Sequence, residues 1–197
     1  MAERFYRVKE EVRILGLDDG PFSRGDEEVI VVGTVFRGGA WMDGVLSTRV
    51  SVDGLDSTDR IIELVNNCRF KDIRVIMLDG LGFAGFNLVD IQRLNSETGL
   101  PVIVVTRDMP DFKEINSALD NLPDKSERWG CVEKAGDPVG VETRNGGSVF
   151  IQYSGIHLED AKAIVKLSST RSLLPEPIRV AHLIAQGIVL GQSRGKA

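Results

Sequence analysis

The feature that most constrains this chain is a change of hydrophobic period near residue 53. Before it, apolar residues fall in the runs and alternations of a β-sheet. After it, strand-like and helix-like patterns take turns. Residues 11–17 (EVRILGL) read as a strand, and residues 27–38 (EEVIVVGTVFRG) form a Val/Ile run long enough for a central position. The glycines of RGGA supply a tight turn. Residues 41–52 (WMDGVLSTRVSV) then return with Leu46, Thr48, Val50 and Val52 on one face. Three strands joined by short loops predict an antiparallel meander.

Residues 56–67 (DSTDRIIELVNN) open with candidate N-caps and carry Ile61, Ile62 and Val65 as an apolar stripe, which predicts a helix. A strand over 72–78, a helix over 86–99, a strand over 100–106 and a helix over 109–123 follow. Residues 124–148 are polar and weakly periodic. Residues 139–153 read as a hairpin closed by Asn145-Gly146, and two amphipathic segments occupy 158–169 and 175–190, before a tail expected to fray. The order βββαβαβα matches the α/β architecture of ribonuclease H-like proteins. It predicts a mixed five-stranded sheet of order 3-2-1-4-5 flanked by helices, with an added C-terminal hairpin and two helices. A single domain over 1–197 is expected, its core at about 11–122 and its C-terminal additions at about 137–191.

In that order the first and fourth strands are parallel neighbours, so Asp18 and Asp79, which end them, come side by side. Asp followed by Gly is common turn chemistry and occurs four times here (Asp19, Asp43, Asp53 and Asp79), so either acid alone reads as a turn former. As a pair they repel unless protonated or bridged by a cation. Oxygen ligands of this kind suit Mg²⁺ or Mn²⁺, and such ions can activate a water against a phosphodiester. After Asp79, Gly80 and Gly82 permit close backbone approach to a nucleotide. Phe83 and Phe86 are placed to stack on a base, with core packing the simpler role for Phe86. Arg37, Arg171 and Arg179 are candidate phosphate contacts or ordinary surface charges.

Composition limits the partners. The net charge of −5 argues against a strong general binder of DNA or RNA, but not against an enzyme that meets nucleic acid through a metal. No apolar run approaches the ~20 residues of a membrane helix, and MAERFYRVKEEVR lacks the apolar core of a signal peptide. Cys68 and Cys131 are too few for a disulfide framework or a four-cysteine zinc site. A cytoplasmic protein with reduced thiols is expected; nothing in the sequence sets its oligomeric state.

RILGLDDG, followed by VIMLDGLGFAG and GLPVIVV, resembles endonuclease V, whose members carry a first-strand Gly-x-Asp and a fourth-strand Asp-Gly-x-Gly. LPEPIRVAHLIA (residues 174–185) is similar to the Leu-Pro-Glu-Pro-x-Arg-x-Ala that starts that family's last helix. The sequence looks closer still to an uncharacterised archaeal family related to endonuclease V, in which GLDDGPF and GFN recur. The resemblance implies Mg²⁺-dependent phosphodiester cleavage near a deaminated purine in DNA or RNA, with Asp18 and Asp79 as metal ligands. The family's third carboxylate, a Glu, falls nearest Asp56, with Asp53 behind it; an N-cap and a turn are their simpler roles. Its histidine before the penultimate helix falls at Ser154, with His157 out of register. Its histidines after the fourth strand are Leu81 and Gly85 here, and its aromatic-proline wedge between the third strand and first helix is absent. A Mg- or Mn-dependent endonuclease is the first expectation, and a catalytically degenerate nucleic-acid or nucleotide-binding relative is the alternative. A protein-interaction module is the third.

Overall fold

The computed structural model describes residues 8–144 and 146–194. The charged N-terminal heptad, Asn145 of the expected hairpin turn and the last three residues of the tail lie outside the described residues. Strands β1 (Arg13–Asp19), β2 (Glu28–Arg37) and β3 (Trp41–Ser51) form the meander, with Asp18 opposite Val32 and Arg37 opposite Trp41. Helix α1 (Ser57–Asn67) leads to β4 (Val75–Asp79), parallel to β1, with Leu17 beside Leu78. A short hairpin, β5 (Gly82–Phe83) and β6 (Asn87–Leu88), precedes α2 (Ile91–Thr98) and β7 (Val102–Thr106). Then come α3 (Phe112–Leu119), α4 (Lys125–Ala135), β8 (Val139–Glu142), β9 (Ser148–Ser154), α5 (Leu158–Ser168) and α6 (Glu176–Leu190).

The sheet runs β3-β2-β1-β4-β7-β9-β8. Its first five members are the expected 3-2-1-4-5 order of a ribonuclease H-like fold. The C-terminal hairpin is not a separate addition, because β9 pairs antiparallel with β7 and extends the sheet to seven strands. Residues alternate across a strand, so Leu15, Leu17, Ile76 and Leu78 pack with α1 and α2 on one face. Ile14, Val75, Met77 and Ile103 pack with α5 and the start of α6 on the other. Among the described residues no helix is long and apolar enough to cross a membrane.

Two helices differ from expectation. α2 starts at Ile91 rather than Phe86, because the Asp90 carboxylate accepts from the Gln92 and Arg93 amides and caps it there. α4 arises in the polar stretch that carries no clear period. Its inward residues are Arg128, Val132 and Ala135. Arg128 is 2% exposed and donates to the carbonyls of Asp53, Gly54, Phe86 and Pro123. The helix is therefore anchored by a buried cation solvated by backbone, a device that hydrophobic periodicity does not reveal.

One glycine sets the position of α6. A Cβ on Gly16 would lie 2.4 Å from the Pro177 carbonyl carbon, so the Leu-Pro-Glu-Pro start of α6 sits directly on β1. Thr34 Oγ1 donates to the Pro177 carbonyl at 2.6 Å and fixes the same point from β2.

Candidate metal centre

With its first turn fixed over Gly16, α6 runs along β1 and buries Ile178, Ala181 and Ala185. Position 182 falls inside that stripe, and its occupant is a histidine. His182 Nδ1 lies 2.7 Å from Asp18 Oδ2. The Gln186 side-chain nitrogen, which has only hydrogens to give, lies 2.9 Å from His182 Nε2, while Gln186 Oε1 accepts from the Arg194 amide. Nε2 therefore accepts and the Nδ1 hydrogen is directed at Asp18. Asp79 completes the group: Asp18, Asp79 and His182 each present a ligand atom, all within 4.8 Å of one another.

Burial, then the neighbouring Asp18, pushes the Asp79 carboxyl up to about 7. Asp19 is pushed up to about 6, chiefly by burial and in part by Asp18, although its Oδ2 accepts from the Ala84 amide at 2.7 Å. The hydrogen bond to Asp18 raises the His182 imidazole. Arg107, just beyond β7, acts on Asp79 and His182 through its charge. Burial first, and then the crowding of like charges, raises the proton affinity of both acids, and a cation would relieve the same repulsion.

The donor set fits a small divalent ion. Two carboxylates are ordinary ligands of such an ion, and the imidazole holds one of them through its Nδ1 hydrogen.

The other sequence-derived candidates lie elsewhere. Asp56 is not part of the group. Its carboxylate accepts from the Ser51 amide, Ser51 Oγ and Asn87 Nδ2, the last at 2.6 Å. Burial works against its charge, but these bonds prevail and hold it below the usual carboxylate range. It occupies the N-cap position of α1 without a side-chain cap bond. Asp53 takes a left-handed conformation (φ 49°) and accepts from the Phe86 amide. Phe83 is fully buried in the core, which corrects its reading as a stacking residue. Phe86 instead lines a pocket of about 210 Å³ with Gly82, Phe112 and Ile115. Gly80 has φ 78° in the turn after Asp79. Arg179 grips the buried Glu176 through Nε and Nη2. His157 sits at the N-cap position of α5.

Sequence reasoning missed His182 and Arg107. The signal for His182 was present, as an imidazole at helical spacing among Ile178, Ala181 and Ala185. Arg107 followed a strand of the same parallel set as Asp79, and carried no other mark.

A family model described as endonuclease dU matches residues 10–189. A UPF0215 protein of Methanothermobacter thermautotrophicus is 55% identical over 196 residues, spanning 98% of this chain and 95% of its own length. The crystal structure of an Archaeoglobus fulgidus protein of unknown function is similar at 42% identity and TM-score 0.81, covering 90% of this chain and 98% of that one. Endonuclease V of Ciona intestinalis, solved with a 24mer DNA containing an inosine, is similar at TM-score 0.54 and 18% identity, over 86% of this chain and 82% of that one. At that identity the likeness shows the fold alone. The chain belongs to the endonuclease dU family, an archaeal group with UPF0215 members, built on the ribonuclease H-like fold it shares with endonuclease V.

Proposed function

We propose that this protein is a divalent-metal-dependent endonuclease that hydrolyses a phosphodiester of DNA or RNA beside a deaminated base, with uracil in DNA the first candidate from the family's description. The observation that carries the reading is the meeting of Asp18, Asp79 and His182 from β1, β4 and α6, in a site where burial and the neighbouring Asp18 push Asp79 up to about 7. A bound Mg²⁺ or Mn²⁺ would supply Lewis-acid polarisation of the phosphate and a water acidified enough to attack at neutral pH. Asp18 and Asp79 would hold it, with the orientation of Asp18 kept by the Asp19 amide on Oδ1. His182 would position Asp18, its Nδ1 hydrogen directed at Oδ2 while Gln186 steadies the ring at Nε2. Arg107 places positive charge at the mouth of the site, where it favours a phosphate and the charge that develops on it.

The pocket next to the site suits a base. Leu81 and Gly82 line it two and three residues after Asp79, within about 11 Å of chain. Its volume, about 210 Å³, is below the ~300–1,000 Å³ of sites for drug-sized ligands and fits one planar ring better than a whole nucleotide. Recognition there would rest on shape and stacking against Phe86 and Phe112.

Matched oligonucleotides with and without one deoxyuridine, incubated with Mn²⁺ or with chelator, test the proposal. Metal-dependent strand scission by the wild type, lost in Asp79→Asn, is expected. Binding without scission under any divalent ion would favour the catalytically degenerate relative and contradict the enzyme.

A further inference from the structure

Sequence and structure leave GLDDGPF half explained, since Asp18 belongs to the site and Asp19 holds the Ala84 amide, while Pro21-Phe22 has no such role. Phe22 is 42% exposed, an unusual state for an aromatic ring in a loop directly after a buried strand. The loop is ordered around it: the Gly20 amide donates to the Ile30 carbonyl, and the Ser23 amide donates to the Asp26 carboxylate at 2.7 Å. Pro21 fixes the backbone angle just before the ring.

The ring lies over Gly85. A Cβ on Gly85 would come within 3.7 Å of Phe22 Cζ and 2.4 Å of Asp53 Oδ1, and Gly85 itself has φ 88°. Only glycine satisfies both demands. Gly85 also lines the pocket, so Phe22 stands at the pocket's lip, three residues beyond Asp19. The platform beneath it is rigid. Asp19 holds the Ala84 amide, Asp53 holds the Phe86 amide, and Arg128 holds the Phe86 carbonyl.

The strand registers place Phe22 and the Asp18–Asp79 pair at one end of the sheet. The other strongly exposed aromatic among the described residues, Trp41, sits at the opposite end, paired with Arg37. We infer that Phe22, presented by Pro21 and seated on Gly85, is an intercalating side chain that enters the base stack of a duplex and holds open the step from which one base leaves for the adjacent pocket. Apolar wedges at other nucleic-acid sites unstack a base step in this way, and chemistry beside an extruded base requires that step. The inference rests on the endonuclease reading.

The test uses the full chain, in chelator so that nothing is cut. The probe is a duplex with one deoxyuridine and 2-aminopurine as its neighbour; the same labelled strand, single and unpaired, is the control. Wild-type protein should brighten the 2-aminopurine as the step unstacks. Phe22→Ala should lose the brightening and bind the duplex about tenfold more weakly, with single-strand affinity within about twofold of wild type. Phe22→Trp should retain both properties, and Trp41→Ala should behave as wild type. No brightening by the wild type, or equal brightening by Phe22→Ala, overturns the inference. Equal losses on duplex and single strand overturn it as well, since a wedge matters only where a stack must be opened. A parallel incubation with Mn²⁺ separates the two readings. Scission with Phe22-independent brightening defeats the wedge and leaves the nuclease standing, whereas Phe22-dependent brightening without scission does the reverse.

Discussion

Asp79 ends β4 and Asp56 follows β3 of the same sheet, and each is an acid ahead of a turn or helix. Asp56 has its compensation inside the protein: two donors from Ser51 and one from Asn87 surround its carboxylate. Asp79 faces Asp18, is largely dry, and is pushed up to about 7. Asp90 belongs with Asp56, since it caps α2 and meets Lys134 Nζ, and it too is held low despite burial. The difference separates a carboxylate that completes the fold from one that strains it. A carboxylate supplied with donors stabilises its own surroundings, while one set against another acid is stable only with a proton or a cation.

The largest expected effect is on chemistry. Asp18→Asn should reduce Mn²⁺-dependent scission by more than the ~10–100-fold that loss of an outer partner of a metal ligand costs. Single-turnover assays at saturating metal measure it, and a smaller loss would place Asp18 outside the site. Asp56→Ala should show the opposite profile. Leaving the Ser51 amide and Asn87 without their acceptor should lower stability by about 1–3 kcal/mol, while the melting shift caused by Mn²⁺ stays as in wild type. Denaturant melts with and without Mn²⁺ report both, and a lost Mn²⁺ shift would return Asp56 to the ligand set.

The pH dependence sharpens the contrast. A folded carboxyl at about 7 holds its proton more tightly than the unfolded chain, whose value is near 3.8. The folded state therefore binds more protons between those values, and metal-free stability falls as pH rises through that window. Asp19 at about 6 and the raised His182 act in the same direction. Asp56 and Asp90, held low, contribute stability above 3.8 that is lost as pH falls below it. In chelator the melting temperature should therefore decline from pH 5 to pH 8, and excess Mn²⁺ should flatten or reverse that slope by replacing the proton. A rising melting temperature in chelator would contradict the account. The smallest effect concerns the base. With no wedge between β3 and α1 and with Leu81 and Gly85 where endonuclease V has histidines, preference for inosine over an ordinary purine should stay under tenfold, or ~1.4 kcal/mol in the transition state. Competition between paired substrates decides it.

Much of this site was legible as placement and little as contact. The βββαβ pattern implied that β1 and β4 are neighbours, and that adjacency distinguished Asp18 and Asp79 from the other Asp-Gly turns. Side-chain partners are set by packing, which a single sequence does not display. Asp56 resembled a third ligand until Asn87, thirty-one residues away, was found on its carboxylate. The sequence favoured the core for Phe86 and stacking for Phe83, and the β5–β6 hairpin reverses the two by turning Phe83 into the core and Phe86 toward the pocket. Helix α4 escaped because its anchor is Arg128, a residue type that periodicity counts as surface. His182 was readable as a polar intruder in an apolar stripe, but the acid it meets is 164 positions away.

The most direct test of the central claim is a set of four melts: wild type and Asp79→Asn, each in chelator and in excess Mn²⁺. Asparagine keeps the size of the side chain and removes its charge, so Asp79→Asn should melt at or above the wild-type temperature in chelator near pH 8. Wild type should gain stability with Mn²⁺ by mass action, about 2.7 kcal/mol at one hundred times its dissociation constant, and the variant should gain little or nothing. Equal Mn²⁺-induced shifts in the two proteins would contradict the account and leave Asp79 as a turn residue.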